Sequence, residues 1–428
     1  MRATVQKFFP IVVVGGGAGG LELVTALARA GRRDVLLLDC NACHVWKPRL
    51  HEMAAGLGAA DVDEISYATV AEHWGFSFRQ GALSDVSTQD RTITVGAVRN
   101  ADGAVIVPEF KVNYDALVLA LGGVTPDLGV DGVHEHSLML DDGKDAEEMF
   151  VRLSRGLLAK SLMGDASAFE VVIAGSGSTG VELASHLIES RQCNTIAPRA
   201  DLPEIRVTML EATDEIMPGL SDEVRRGIRE RLEKQGVQIE TRQLVSRVTE
   251  CAVETDDGAS FPSDLTAWTT GTVGPRIAED IAALDTNEKR QWVVKPTLQT
   301  FASDAIFALG DCAAIKDDPA PPTAQAASEQ AAHLARYLPR WLFEGQTPEP
   351  FEFRNKGTVL SLGDGGSVAK VRTRFTDDFM IGDRFARAAY RGLYRQHQFH
   401  VLGPVKGTQD WLADILQRGV GPRLKVFG

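Results

Sequence analysis

Gly15, Gly17 and Gly20 satisfy the spacing G-x-G-x-x-G, directly after the apolar run 11–14 and at the opening of a helical pattern over 21–30. The first glycine of such a loop permits a tight turn. The second lets backbone approach a pyrophosphate, and the third lets helix and strand pack closely. Ala18 falls in the first helical turn, whose free amides face the phosphates. Asp39 closes the next apolar run, 35–38, and lies 19 residues beyond Gly20. A carboxylate at that spacing suits an adenosine ribose hydroxyl. The arrangement then repeats. Gly175, Gly177 and Gly180 follow the apolar run 171–174 and open a helix over 181–188, while Glu211 ends a strand over 206–210. Here the acid comes 31 residues after the last glycine, and the polar stretch 191–204 reads as a loop insertion.

A strand, a glycine loop, a helix, a second strand and an acid make a βαβ unit, and two such units imply two doubly wound domains with largely parallel sheets. The fold class expected is therefore α/β with two Rossmann-like dinucleotide-binding domains. Strands are predicted at 92–95 and 116–120, a helical connector at 141–158, a helix at 225–235, and buried strands at 266–269 and 305–309. The divisions expected are 1–150, 151–292, 293–350 and 351–428, the third returning to the first domain. Glu211 favours a free 2′-hydroxyl and repels a 2′-phosphate, so the second site is expected to prefer NADH to NADPH, with Arg206 close by in sequence. Glu182 sits in the first turn of the second loop's helix. An acid there either complements the helix dipole or reaches the nicotinamide.

At 428 residues the chain is too long for one core. A net charge of -13 argues against nucleic acid as a partner. From 370 to 428, however, eleven Lys/Arg face five Asp/Glu, so the tail is basic. No apolar run is long enough to span a bilayer, and with the first buried strand beginning about ten residues in, no signal peptide is expected. Five cysteines give no secreted-type disulfide framework, so a reducing compartment is expected. Cys40 and Cys43 form C-x-x-C but follow the ribose acid rather than facing a reactive ring. His51-Glu52 lacks the second histidine of H-E-x-x-H, and no metal site is expected.

Gly310-Asp311, ending the apolar run 305–309, resembles the downstream Gly-Asp by which two-dinucleotide flavoproteins hold the ribityl–phosphate part of FAD. The segments 119–123 (LALGG, with Gly122) and 268–272 (WTTGT, with Gly271) resemble the short strand–glycine motifs joining the two domains of that superfamily. With 12–20, 44–52 (HVWKPRLHE), 180–184 (GVELA), 310–313 (GDCA), 324–330 (AQAASEQ), 390–398 (YRGLYRQHQ) and 422–425 (PRLK), nearly the whole chain resembles the type II NADH dehydrogenases, single-subunit NADH:quinone oxidoreductases.

The resemblance implies FAD on the first unit, NADH on the second, and hydride passing from nicotinamide to flavin, then two electrons to a quinone without proton pumping. It places Lys47 and Pro48 at the flavin, Glu182 near the nicotinamide and Gln325 between flavin and quinone. Glu182, Gln325 and Glu329 are the candidate catalytic residues, and Glu329 departs from the glutamine expected there. It also implies that 385–399 and 411–416, which interleave arginines with aromatic and aliphatic residues, form a C-terminal amphipathic membrane-associating segment. Such a segment would lie on anionic lipid at the cytoplasmic side of the cell membrane. A homodimer stays open. So do three other readings: a sulfide:quinone oxidoreductase, which would need cysteines beside the flavin; a soluble reductase of a protein acceptor; and an NADH-sensing flavoprotein without turnover.

Overall fold

The computed structural model describes residues 7–57, 64–100, 102–192, 202–363, 367–371, 379–381 and 383–417. Continuous apolar strands with no polar alternation are what a parallel sheet covered on both faces requires. The strand Lys7–Val14 runs parallel between Val35–Asp39 and Phe110–Leu119, with Ile11 level with both Val35 and Ala116. The full sheet has seven strands in the order Ser77–Gln80, Val35–Asp39, Lys7–Val14, Phe110–Leu119, Thr92–Val95, Leu83–Ser87. Ile306–Ala308 returns, almost two hundred residues later in the chain, to pair parallel with Leu117–Leu119.

A second sheet repeats the plan. Phe169–Ala174 lies between Ile205–Glu211 and Leu265–Trp268, flanked by Gln238–Thr241 and by Ser137–Leu138. Its core is separate from the first and includes the inner face of the Gly143–Met163 helix through Ala146, Met149, Leu153 and Leu157. That helix begins with a capping box in which Asp142 and Asp145 satisfy each other's amides, an arrangement worth about 1 kcal/mol. Each fully buried Val, Leu or Ile in the two cores contributes roughly 1.5–3 kcal/mol, and the loops that hold the glycines are set by these strands.

Two helices complete the frame. Ala324–Glu344 packs on Ala18–Arg29, where the added Cβ of Gly19 would meet Leu309 and Ala327. Asp383–Gln417 follows a three-stranded antiparallel sheet of Gly357–Ser361, Ser367–Val371 and Phe379–Ile381. The expected pieces 385–399 and 411–416 fall within this one helix, interrupted at Gly403, whose φ of 78° and ψ of 172° are non-helical. The expected helices at 21–30, 141–158 and 225–235 appear as Ala18–Arg29, Gly143–Met163 and Asp222–Gln235. Among the described residues no helix is long and apolar enough to cross a membrane. The segment 422–425 and most of the 191–204 insertion lie outside the described residues.

Candidate functional site

Both glycine loops have the geometry their spacing demands. Gly15 has φ +99°, and a Cβ there would strike Ala120 O at 2.3 Å; one on Gly20 would strike Gly15 O at 1.9 Å. Gly17 by contrast faces open space, where a pyrophosphate has to approach backbone. Asp39 Oδ2 accepts from Gly16 N at 2.6 Å and Oδ1 from Asn41 N at 2.7 Å, which ties the acid to the loop it serves. In the second loop Gly175 has φ +99° and Gly180 packs against Gly175 O, while Gly177 is open. Glu211 Oε2 accepts from the amide and hydroxyl of Ser176, and Oε1 from those of Thr213. Burial pushes this carboxyl up, but the four donors outweigh it and hold it below the usual carboxylate range.

The strand ends of the two units meet. A Cβ on Gly123 would touch Thr272 Cγ2 at 2.5 Å, Val273 O at 2.9 Å and Asp311 Cβ at 3.1 Å, and Val124 pairs with Val273. Gly122, Gly271 and Gly310 all have positive φ at this junction. Lys47, first residue of the Lys47–Arg49 turn that also holds Pro48, donates from Nζ to Gly123 O at 3.0 Å. Asp311 is held above the usual carboxyl range by burial, with Lys47 opposing. Its carboxylate has no hydrogen-bond partner among the described residues, so the cradle lined by Gly122, Gly123 and Gly310 holds an acceptor awaiting a hydroxyl. That orphaned acceptor and the open Gly17 fit the ribityl and pyrophosphate parts of FAD.

The Ala324–Glu344 helix starts beside this cradle. Thr323 caps it by accepting from Ala326 N, and buried Gln330 accepts from Gly310 N at 2.7 Å. Gln325 Nε2 donates to Glu329 Oε1 at 3.0 Å and to Arg354 O at 2.8 Å, while Lys356 Nζ reaches Glu329 Oε1 at 2.7 Å. Burial raises the Glu329 carboxyl, but Lys356 and Gln325 overcome that and hold it low. Glu329 is therefore an anion that aims the Gln325 amide.

Glu182 is turned inward. Its Oε1 accepts from Ser361 N at 2.8 Å, and burial with neighbouring Glu52 pushes its carboxyl to about 8. His51 and His186 flank it. The second histidine that the H-E-x-x-H spacing lacks arrives at His51-Glu52 from another helix.

A second buried cluster was invisible to motif reading. Gly16 O accepts from Tyr67 OH at 2.8 Å and from His44 Nδ1 at 2.9 Å. His44 Nε2 lies 2.9 Å from His397 Nε2, and His397 Nδ1 lies 2.7 Å from Glu22 Oε1. Trp46 stacks on the His397 ring at 4.3 Å. An acid on an otherwise apolar helix face was the one available signal, since Glu22 lies among buried residues of Ala18–Arg29. Burial raises Glu22, yet bonds from His397, His400 and Ser328 hold it down at about 2.

Among the described residues Cys40, Cys43, Cys251 and Cys312 are free thiols. Burial raises the thiols of Cys40 and Cys43, and that of buried Cys312 to about 12. Cys193 lies outside the described residues.

Comparison with known proteins agrees with this architecture. The pyridine nucleotide-disulphide oxidoreductase family matches residues 9–331. A type II NADH:quinone oxidoreductase of Haemophilus influenzae is 31% identical, covering 97% of this chain and 99% of that protein. One from Staphylococcus aureus is 25% identical over 84% of this chain and 89% of its own. In fold, NDH2 of Plasmodium falciparum, solved with NADH, superposes with a TM-score of 0.80 at 16% identity, covering 98% of this chain and 99% of that one. The sulfide:quinone oxidoreductase of Aquifex aeolicus superposes with a TM-score of 0.73 at 16% identity, covering 97% and 96%. The chain belongs to the type II NADH:quinone oxidoreductases, within the pyridine nucleotide-disulphide oxidoreductase family.

Proposed function

We propose that this chain binds FAD and NADH on its two glycine-loop units, takes a hydride from NADH and delivers two electrons to a membrane quinone. The observation that carries this is the meeting of Gly123, Thr272 and Asp311, which brings the strand ends of both units to one junction. FAD, when bound, supplies the two-electron chemistry; the chain supplies positioning, electrostatics and exclusion of water. Gly15, Gly17, Ala18, Gly20 and Asp39 hold its adenosine diphosphate half. Lys47, Pro48, Gly122, Gly310 and Asp311 border the rest. Gly175, Gly177, Gly180, Glu211 and Gly271 hold NADH, with Glu182 beside the nicotinamide. Gln325 lies between flavin and quinone, with its Oε1 free of hydrogen bonds among the described residues, and Glu329 orients it. Residues 1–150 and 293–350 form the FAD unit, 151–292 the NADH unit and 351–428 the quinone and lipid face. The Gly143–Met163 helix, packed on the second core, crosses the first of these boundaries.

The lipid surface we assign to the C-terminal helix, at the cytoplasmic side of the cell membrane. Tyr394, His397, Gln398 and Val401 are buried, while Leu393, Val405, Trp411 and Leu412 are exposed, Val405 at 71%. Exposed apolar and aromatic side chains on a basic helix suit an interfacial anchor on anionic lipid.

Anaerobic mixing of the FAD-loaded protein with NADH should bleach the flavin, and a short-chain quinone should restore it. No bleaching removes the NADH assignment, and bleaching without quinone reoxidation moves the acceptor to a protein. Truncation after Leu402 should release the chain from anionic vesicles; retained binding would place the anchor elsewhere.

A further inference from the structure

Beside the proposed nicotinamide position, His51 and Glu52 of the Leu50–Ala54 helix face His186 of Ser178–Gln192, with one ligand atom from each within 4.8 Å of the others. The proton positions at these three residues are fixed by their neighbours. His186 Nδ1 donates to Glu182 O at 2.6 Å, so its Nε2 carries a lone pair, met among the described residues only by the Ser361 hydroxyl at 3.4 Å and Glu189 Oε2 at 4.0 Å. Tyr390 OH donates its proton to Pro48 O at 2.7 Å, so towards His51 Nε2, 3.4 Å away, that oxygen can only accept. His51 therefore bears its proton on Nε2 and leaves the Nδ1 lone pair facing Glu182 Oε2 at 3.7 Å. Arg49 donates from Nε and Nη2 to Glu52 Oε2, and among the described residues Glu52 Oε1 accepts no hydrogen bond. Burial holds both imidazoles below their ordinary range, hence neutral and able to ligate. Three sets of lone pairs thus converge, two from histidines that are almost fully buried.

We propose that His51, Glu52 and His186 form a binding site for one divalent transition-metal ion of the zinc class, with Glu182 as the adjoining carboxylate. Two imidazoles and a carboxylate suit zinc and its borderline neighbours and leave a fourth position open. The bond from His186 Nδ1 to a backbone carbonyl is the outer-shell contact that fixes a ligating tautomer. Zinc–nitrogen bonds of about 2.0–2.1 Å put tetrahedral ligand atoms roughly 3.4 Å apart, so the ion draws the set inward, chiefly through Glu52. The ligands come from the segment that follows Lys47 and from the helix of the second glycine loop. A bound ion therefore pins the two units together beside Glu182. Occupancy then slows flavin reduction by NADH, a consequence that rests on Glu182 lying beside the nicotinamide.

Titrating the FAD-loaded full-length protein with Zn2+ by calorimetry should give one saturable site per chain. His186→Gln and Glu52→Gln should each weaken it at least about tenfold while flavin content stays at the wild-type level, and a Cys40→Ser/Cys43→Ser double variant should keep it. No saturable binding, equal binding in His186→Gln, or loss in the cysteine variant overturns the site. Zn2+ that binds as expected but leaves NADH-driven bleaching unchanged supports the site and removes the placement of Glu182 at the nicotinamide.

Discussion

His397 of the C-terminal helix lies 2.7 Å from Glu22 of the first glycine-loop helix, across 375 residues of sequence. His44 donates through Nδ1 to Gly16 O, so its Nε2 accepts, and His397 Nε2 is the donor to it. The chain of contacts therefore runs from Glu22 through two buried imidazoles to the backbone of the first glycine loop. The helix assigned to the lipid surface and the loop assigned to FAD are clamped by one buried network.

Breaking that clamp should loosen the flavin. His397→Phe removes one of the donors to buried Glu22 and leaves Ser328 and His400, at a cost of about 1.5–3 kcal/mol for a hydrogen bond to a charged group. The expected result is a lower melting temperature and faster appearance of free-flavin fluorescence on dilution. Wild-type values for both would mean that the helix and the loop are energetically independent. Because Glu22 is held at about 2 against an ordinary 4.5, its contribution is fully present above 4.5 and is lost as pH falls towards 2. The stability gap between wild type and Glu22→Gln should close over that window.

Glu182 has the opposite sign. Burial raises it to about 8, so the native state keeps a proton that the unfolded chain releases above about 4.5. Stability relative to Glu182→Gln is expected to fall as pH rises from 4.5 and to keep falling through 8. If the glutamate lies at the nicotinamide, stopped-flow flavin reduction in the wild type will show a transition near 8 that Glu182→Gln lacks. The same transition in both proteins would move Glu182 out of the NADH site.

Nucleotide choice should follow Glu211. Its four donors come from Ser176 and Thr213, so the carboxylate also braces the second glycine loop. Glu211→Gln removes the charge that repels a 2′-phosphate and weakens a charge-assisted bond worth about 1.5–3 kcal/mol. The ratio of kcat/KM for NADH over NADPH should drop by roughly tenfold or more. An unchanged ratio would shift the discrimination to another residue, with Arg206 next in line.

Local chemistry explains what could be read in advance. Gly15 and Gly175 needed their left-handed turns for reasons contained within six residues, and the apolar runs around them had no alternation to mistake for an exposed strand. The clusters around Glu22 and Glu182 were not legible, because their partners come from elements ordered only by tertiary packing. His397 reaches His44 across 353 residues, and Ser361 reaches Glu182 across 179. His51-Glu52 looked incomplete in sequence for the same reason: periodicity reports which face of a helix is buried, but it does not identify the helix that covers that face.

Glu329 is the sharpest case, since a glutamine was expected there while its geometry keeps Gln325 in place. Lys356 and the Gln325 amide both bind Glu329 Oε1. Glu329→Gln removes the ion pair with Lys356, which is half or more exposed and so worth about 0.2–1 kcal/mol, yet retains an acceptor for Gln325. Quinone turnover in that variant should stay within a few-fold of wild type. Gln325→Ala should raise the quinone KM by roughly tenfold, the equivalent of one lost hydrogen bond near 1.4 kcal/mol, and leave anaerobic bleaching by NADH untouched. A Gln325→Ala enzyme that bleaches slowly but reoxidises normally would place the amide on the donor side of the flavin instead.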